Sequence, residues 1–236
     1  MRQGHLRGLA AIGILAIGIN LAAAGTGPAP AESVTRLKAG NARFVANPTD
    51  ALPIDPAQRA ALAKGQAPYA TIVSCADSRV PPEIVFRAGL GELFVVRAAG
   101  HVPDRSVLAS VEYAAEHLNV PLIVVMGHEM CGAVRAAVET PASTSLGPNL
   151  DYLIKAIRPA VARASSQPPD ARLRAAILEN VEESINDLLG KSAILRHMSH
   201  EGKVRLVGAY YELSTGRVHF SQMVADGAQA PAHADH

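Results

Sequence analysis

The chain has 236 residues, 49% apolar and 18% charged, with a formal net charge of +1. That is enough apolar side chain for one sizeable core, and a near-neutral balance without a basic block excludes nucleic acid as a partner. Trp is absent and aromatics make up 4%, so the core must be built from Ala, Val, Leu and Ile.

Arg2 and Arg7 precede an apolar run from Leu9 to Ala24, followed by small residues, which is the pattern of a secretory signal. Ala-x-Ala cleavage sites end at Ala24 and at Ala31. The second is preferred, because Pro-Ala-Pro-Ala gives way to a polar, helix-like segment at Glu32. The competing reading is an uncleaved anchor, but a membrane span needs ~20 residues and glycines interrupt this run. The expected organisation is a signal over 1–31, a single domain over 32–224 and a mobile tail over 225–236. The expected location is outside the cytoplasm, periplasmic or secreted, with no stable membrane association once the signal is removed.

An amphipathic helix is expected from Glu32 to Val45, with Ser33 as its N-cap and Val34, Leu37 and Phe44 on its apolar stripe. Asn47-Pro48 ends it. Asp55-Pro56 opens a short helix that stops near Gly65. Tyr69 to Ser74 reads as a strand, Pro81-Pro82 as the start of a helical turn, and Leu93 to Arg97 as a second strand. Asp104 caps a helix to Leu118, Pro121 introduces a strand from Leu122 to Met126, and Cys131 to Glu139 is the next helix. Helices over 150–164, 170–189 and 192–200 follow. Val204 to Leu213 and Arg217 to Met223 form a hairpin around Ser214-Thr215-Gly216. Strands alternating with helices define an α/β class, a mostly parallel central sheet flanked by helices.

Two apolar, β-branched runs, each suited to a strand buried on both faces, lead straight into metal-capable residues. Cys75 and Asp77 follow the first, and His128 and Cys131 follow the second. Ligands of open parallel sheets sit outside the carboxyl ends of the strands, so two thiols, an imidazole and a carboxylate should converge there. Zinc takes four tetrahedral ligands of these types. An exported protein could instead join its two cysteines as a disulfide, but that leaves Asp77 and His128 unexplained. Cys131 at a helix start also has the environment that favours thiolate.

Asp77 has two readings. It closes the zinc site as fourth ligand, or it turns to Arg79, whose guanidinium fork suits a carboxylate, and leaves the fourth position to water. The arginine favours the second, catalytic reading. Two thiolates donate more charge to zinc than imidazoles do, so activity should rise through mildly alkaline pH.

Cys75-x-Asp77-Ser78-Arg79 followed by His128-x-x-Cys131 resembles the β-class carbonic anhydrases, and GNARF, CADSRVPPE, GELFVVRAAG, SVEYA and GHEMCGAV fall in the family's order. The resemblance implies reversible hydration of carbon dioxide to bicarbonate and a proton by zinc-bound hydroxide, with one zinc per chain. It implies Cys75, His128 and Cys131 as permanent ligands, Asp77 and Arg79 as the catalytic dyad, and Asp77 as fourth ligand in a closed form. It further implies a substrate-steering backbone N–H at Gly132, and a homodimer or homotetramer with the cleft near the subunit interface. Many members carry Arg-Asn-x-Ala-Asn where this chain has Arg97-Ala98-Ala99-Gly100-His101, so side-chain hydrogen bonds expected there are missing. His101 is either a proton shuttle or, by preference, a residue that is solvated or sits behind the ligands; His117 is read as complementing a helix end. The alternatives are hydrolysis of carbonyl sulfide or carbon disulfide on the same fold, and a non-catalytic zinc protein with Asp77 closing the site.

Overall fold

The computed structural model describes residues 27–50, 52 and 54–224. Residues 1–26 of the expected signal and the expected tail over 225–236 lie outside them. In chain order the elements are helices α1 (Pro30–Ala46) and α2 (Pro56–Leu62), strand β1 (Ala70–Ser74), the short helix α3 (Pro82–Val85) and strand β2 (Leu93–Arg97). A 3-10 turn (Ala99–His101), helix α4 (Arg105–His117), strand β3 (Leu122–His128) and helices α5 (Gly132–Glu139) and α6 (Pro148–Arg163) follow. Helices α7 (Pro169–Lys191) and α8 (Ala193–His200) then lead into strands β4 (Arg205–Tyr211) and β5 (Val218–Val224).

The sheet order is β2-β1-β3-β4-β5. The first four strands run parallel, and β5 returns antiparallel to β4. β1 and β3 are buried along their whole length, as strands covered by helices on both faces must be. The period of two is visible in β3. Leu122, Val124 and Met126 enter a core with Leu37, Val134, Ile157 and Ile177, while Ile123 and Val125 enter a second core with Val107, Val111, Ile185 and Leu195.

Two expectations change in detail. Helix α1 starts at Pro30, the favoured first helical residue, so Ser33 lies inside the helix rather than capping it. Its buried Oγ donates to the Tyr69 carbonyl, 2.9 Å away. The third strand runs on through Gly127 and His128, because its ladder with β4 continues to the pair His128–Tyr211. Glu129, just past that strand, accepts from the Ser214 backbone N–H at 3.0 Å and ties the strand end to the hairpin.

The GNARF segment explains how α1 is fixed. A Cβ on Gly40 would lie 1.9 Å from the Phe86 carbonyl oxygen, so the helix can approach that turn only without a side chain there. Asn41 beside it donates to the carbonyls of Val85 (3.2 Å) and Gly216 (2.8 Å) and accepts from the Val218 N–H (2.9 Å). One amide thus joins α1 to α3 and to the β4–β5 hairpin.

Candidate metal centre and active site

Chain order reverses between β1 and β3: β2 is added on one side of β1, and β3 on the other. The crevice outside the carboxyl ends of such a strand pair is where open α/β sheets bind ligands. Cys75 immediately follows β1, and His128 is the last residue of β3. A tight turn with Met130 at φ 54° then places Cys131 at the N-cap of α5. The ligand atoms of Cys75, His128 and Cys131 all lie within 4.8 Å of one another. Their residues are 5%, 0% and 1% exposed, and both thiols are free.

The donor set fits zinc. His128 Nδ1 lies 2.9 Å from the Glu129 carbonyl, an acceptor only, so Nδ1 carries the proton. That leaves Nε2 as a bare lone pair, and Nε2 is buried without a hydrogen-bond partner. A buried lone pair aimed between two thiols calls for a cation, and the backbone carbonyl on the far nitrogen is the usual partner of a ligating imidazole. The two thiols titrate together. The hydrogen bond from Cys131 holds Cys75 far below an ordinary thiol, helped by the backbone N–H groups of Asp77 and Gly100, against burial. Cys131 is pushed up in return, by Cys75 and by burial. A dication bound here would favour loss of the protons from both thiols.

Asp77 stands outside this cluster. Arg79 Nε donates to its Oδ1 at 2.9 Å and Arg79 Nη2 to its Oδ2 at 2.8 Å, while the Arg79 backbone N–H also reaches Oδ1 at 2.9 Å. Held this way, Oδ2 still comes within 3.9 Å of His128 Nε2. The Arg79 bonds hold the Asp77 carboxyl well below the usual carboxylate range. The loop itself is gripped by Arg97, which donates to the carbonyls of Cys75 (2.9 Å) and Asp77. Gly132 is exposed at the start of α5, and no heavy atom lies within 4 Å of where its Cβ would be.

His101 is neither solvated nor at the mouth of the site. It is fully buried, and burial pulls its pKa down to about 4; the ring has no direct access to solvent and packs against Asn180 and Ser184 of α7. His117, the last residue of α4, sits where expected. Reasoning from sequence did not single out Asn180 and Ser184, buried residues of α7 that contact Gly100 and His101. An Asn and a Ser in a helix pattern carry no local sign of such a role.

A Cys-His-Cys set at the switch point of a parallel α/β sheet, with a carboxylate in the fork of an arginine beside it, fits the metal centre of a zinc enzyme. The chain belongs to the carbonic anhydrase family, of the β class: the family's profile matches residues 70–218. It is 42% identical over 193 residues to carbonic anhydrase 2 of Mycobacterium tuberculosis, covering 80% of this chain and 91% of that one. It is 37% identical over 207 residues to a carbonic anhydrase of Mycolicibacterium smegmatis, covering 84% and 96%. A solved β-carbonic anhydrase of Sordaria macrospora superposes with a TM-score of 0.64 at 25% identity, over 83% of this chain and 97% of the other.

Proposed function

We propose that this chain interconverts carbon dioxide and bicarbonate, with water as co-substrate and a proton as co-product, at the Cys75–His128–Cys131 centre. The observation that carries the reading is Asp77 locked on Arg79 beside an otherwise complete three-ligand set. A structural zinc site has its fourth ligand in place; here the carboxylate that would close it is bound elsewhere. The names of the relatives favour carbon dioxide over its sulfur analogues.

Cys75, His128 and Cys131 would hold one zinc per chain, which when bound would supply the Lewis acidity that makes water a nucleophile near neutral pH. Asp77, kept ionised by Arg79, is an acceptor only. Its Oδ2 would therefore accept a hydrogen bond from the nucleophilic water and orient it, leaving an oxygen lone pair for substrate beside Gly132, where a Cβ would meet no heavy atom within 4 Å. Carbon dioxide approaching there has the Gly132 N–H at the helix start to orient one of its oxygens. Asp77, with an 18% exposed side chain, and Arg79, with 51%, lie at the solvent edge, which gives product and proton a direct exit.

The test is stopped-flow carbon dioxide hydration with zinc assayed alongside. About one zinc per chain and a rate far above buffer support the reading. Tight zinc with no rate above buffer at pH 7 or pH 9 overturns it.

The chain works as a homodimer or homotetramer, a reading supported by the Sordaria enzymes, which are described as tetrameric; light scattering of the mature protein decides. It is exported, as the Arg2–Ala24 pattern indicates. Cleavage after Ala24 leaves α1 whole, whereas cleavage after Ala31 removes its Pro30 start, so the earlier cut is favoured. Among the described residues no helix is long and apolar enough to cross a membrane. The intact mass of the secreted form distinguishes the two cuts.

A further inference from the structure

Gly100 and His101 are consecutive residues with left-handed backbone, φ 59° and 47°. Glycine adopts this region freely; histidine does so at a cost, and such conformations persist where the surroundings over-determine them. Here the surroundings are two polar side chains of α7, some eighty residues further along the chain. Asn180, 1% exposed, donates its Nδ2–H to the Gly100 carbonyl at 2.9 Å and lies 3.4 Å from His101 Nε2. Ser184 Oγ, also buried, is 3.1 Å from His101 Nδ1. Ile157 and Ala133 close the turn from outside: a Cβ on Gly100 would meet them at 3.0 and 3.2 Å. The product of this clamp is one contact. The Gly100 backbone N–H points at Cys75 and donates to its sulfur at 3.4 Å.

We propose that Asn180, supported by Ser184, is a positioning residue that aims the Gly100 N–H at the Cys75 thiolate and so tunes the electron donation of that sulfur to the metal. The inference rests on Cys75 being a zinc ligand, as proposed above. A hydrogen bond to a thiolate withdraws charge from it, and such outer contacts adjust a metal's Lewis acidity without touching the metal. The device has a clear use in this chain. Two thiolates lower the acidity of the bound metal relative to imidazole ligands, and one N–H on the sulfur partly restores it. Asn180 supplies the donor that satisfies the Gly100 carbonyl, and a carbonyl left unpaired in this buried turn would drive the turn to rearrange.

The experiment uses the full mature chain loaded with cobalt(II) in place of zinc, and reads the sulfur-to-cobalt charge-transfer band of wild type, Asn180→Leu and Ser184→Ala. Asn180→Leu keeps the side-chain volume and removes the donor. The expected result is a band moved to lower energy in Asn180→Leu, with a smaller move in the same direction in Ser184→Ala. The zinc forms should lose about 10- to 100-fold in metal affinity or in kcat/KM, the usual range for such outer contacts. A band left in place in folded, cobalt-loaded Asn180→Leu, whatever the melting temperature does, overturns the proposal and leaves Asn180 a packing residue. Because Asn180→Leu strands a buried carbonyl and puts folding at risk, Ser184→Ala decides alone if that variant does not fold: an unmoved band there is fatal as well. Wild type without any charge-transfer band instead overturns the metal reading on which the inference stands.

Discussion

Arg79 binds both carboxylate oxygens of Asp77, at 2.9 and 2.8 Å, while one of those oxygens remains 3.9 Å from Nε2 of His128. The carboxylate is thus close enough to the metal site to act on what binds there, yet committed to another partner. Removing the guanidinium frees Asp77 to become a fourth ligand. We expect Arg79→Ala to keep its zinc and lose about 10²–10³ in kcat, the range seen when one preorganised group is removed. Arg79→Lys should recover little of it, because a single ammonium cannot hold both oxygens. Stopped-flow rates with zinc content measured on the same samples decide the matter; an Arg79→Ala variant of unchanged rate contradicts the role.

The pH profile should rise from pH 6 to 9. The Asp77 pKa lies below the unperturbed value of ~3.9, so this carboxylate is ionised throughout that window and contributes no inflection to it. The sign for stability is the same: the pair's contribution is present above the unfolded pKa and is lost as pH falls through the lower folded one. The alkaline rise therefore belongs to the metal site with its two thiolates. A rate flat from pH 6 to 9 contradicts this.

Asn41 joins three parts of the chain through its three hydrogen bonds. Each net bond is worth roughly 1 kcal/mol, and its buried partners lose more when orphaned. Asn41→Ala should therefore cost about 2–4 kcal/mol in urea unfolding. Gly40→Ala should cost at least as much, because the obstacle to its Cβ is the backbone at Phe86 rather than a side chain that can turn away. If neither variant shifts the urea midpoint, α1 is not held as described.

Glu182 is buried in α7, and burial, with repulsion from Glu179, raises its carboxyl to about 7 despite the opposing charge of Arg163. The native state thus keeps a proton that the unfolded chain releases from the usual carboxylate range upward. This group's contribution is full below the unfolded pKa and is lost as pH rises through 7, by about 3 kcal/mol at most. Glu182→Gln removes the dependence. Its urea midpoint should gain on wild type between pH 5 and pH 8; parallel midpoints at the two values contradict the assignment.

Much of this protein is local and can be read from the chain alone. The strands that end at the site are β-branched runs, and the α4 helix starts at a capping Asp104 whose side chain accepts from the Ser106 and Val107 N–H groups. Cys75, Asp77, Arg79, His128 and Cys131 could be picked out as candidates because each lies at the end of such a run or just past it. Caps, periodicity and short spacings act between neighbours, so composition and order carry them.

The tertiary structure decided what depends on distant partners. The strand order that reverses between β1 and β3 brings Cys75 to His128 and Cys131 across more than fifty residues. The ladder with β4 carries His128 into a strand rather than a loop, and the fold sets Asp77 in the fork of Arg79 beside His128. The Asn180–Gly100 bond spans eighty residues. No pattern in a helix marks which polar residue will face a strained turn, because the match is made only when sheet and helix pack. The candidate ligands were therefore written in the sequence, while their convergence and the hydrogen bond behind Cys75 arose from folding.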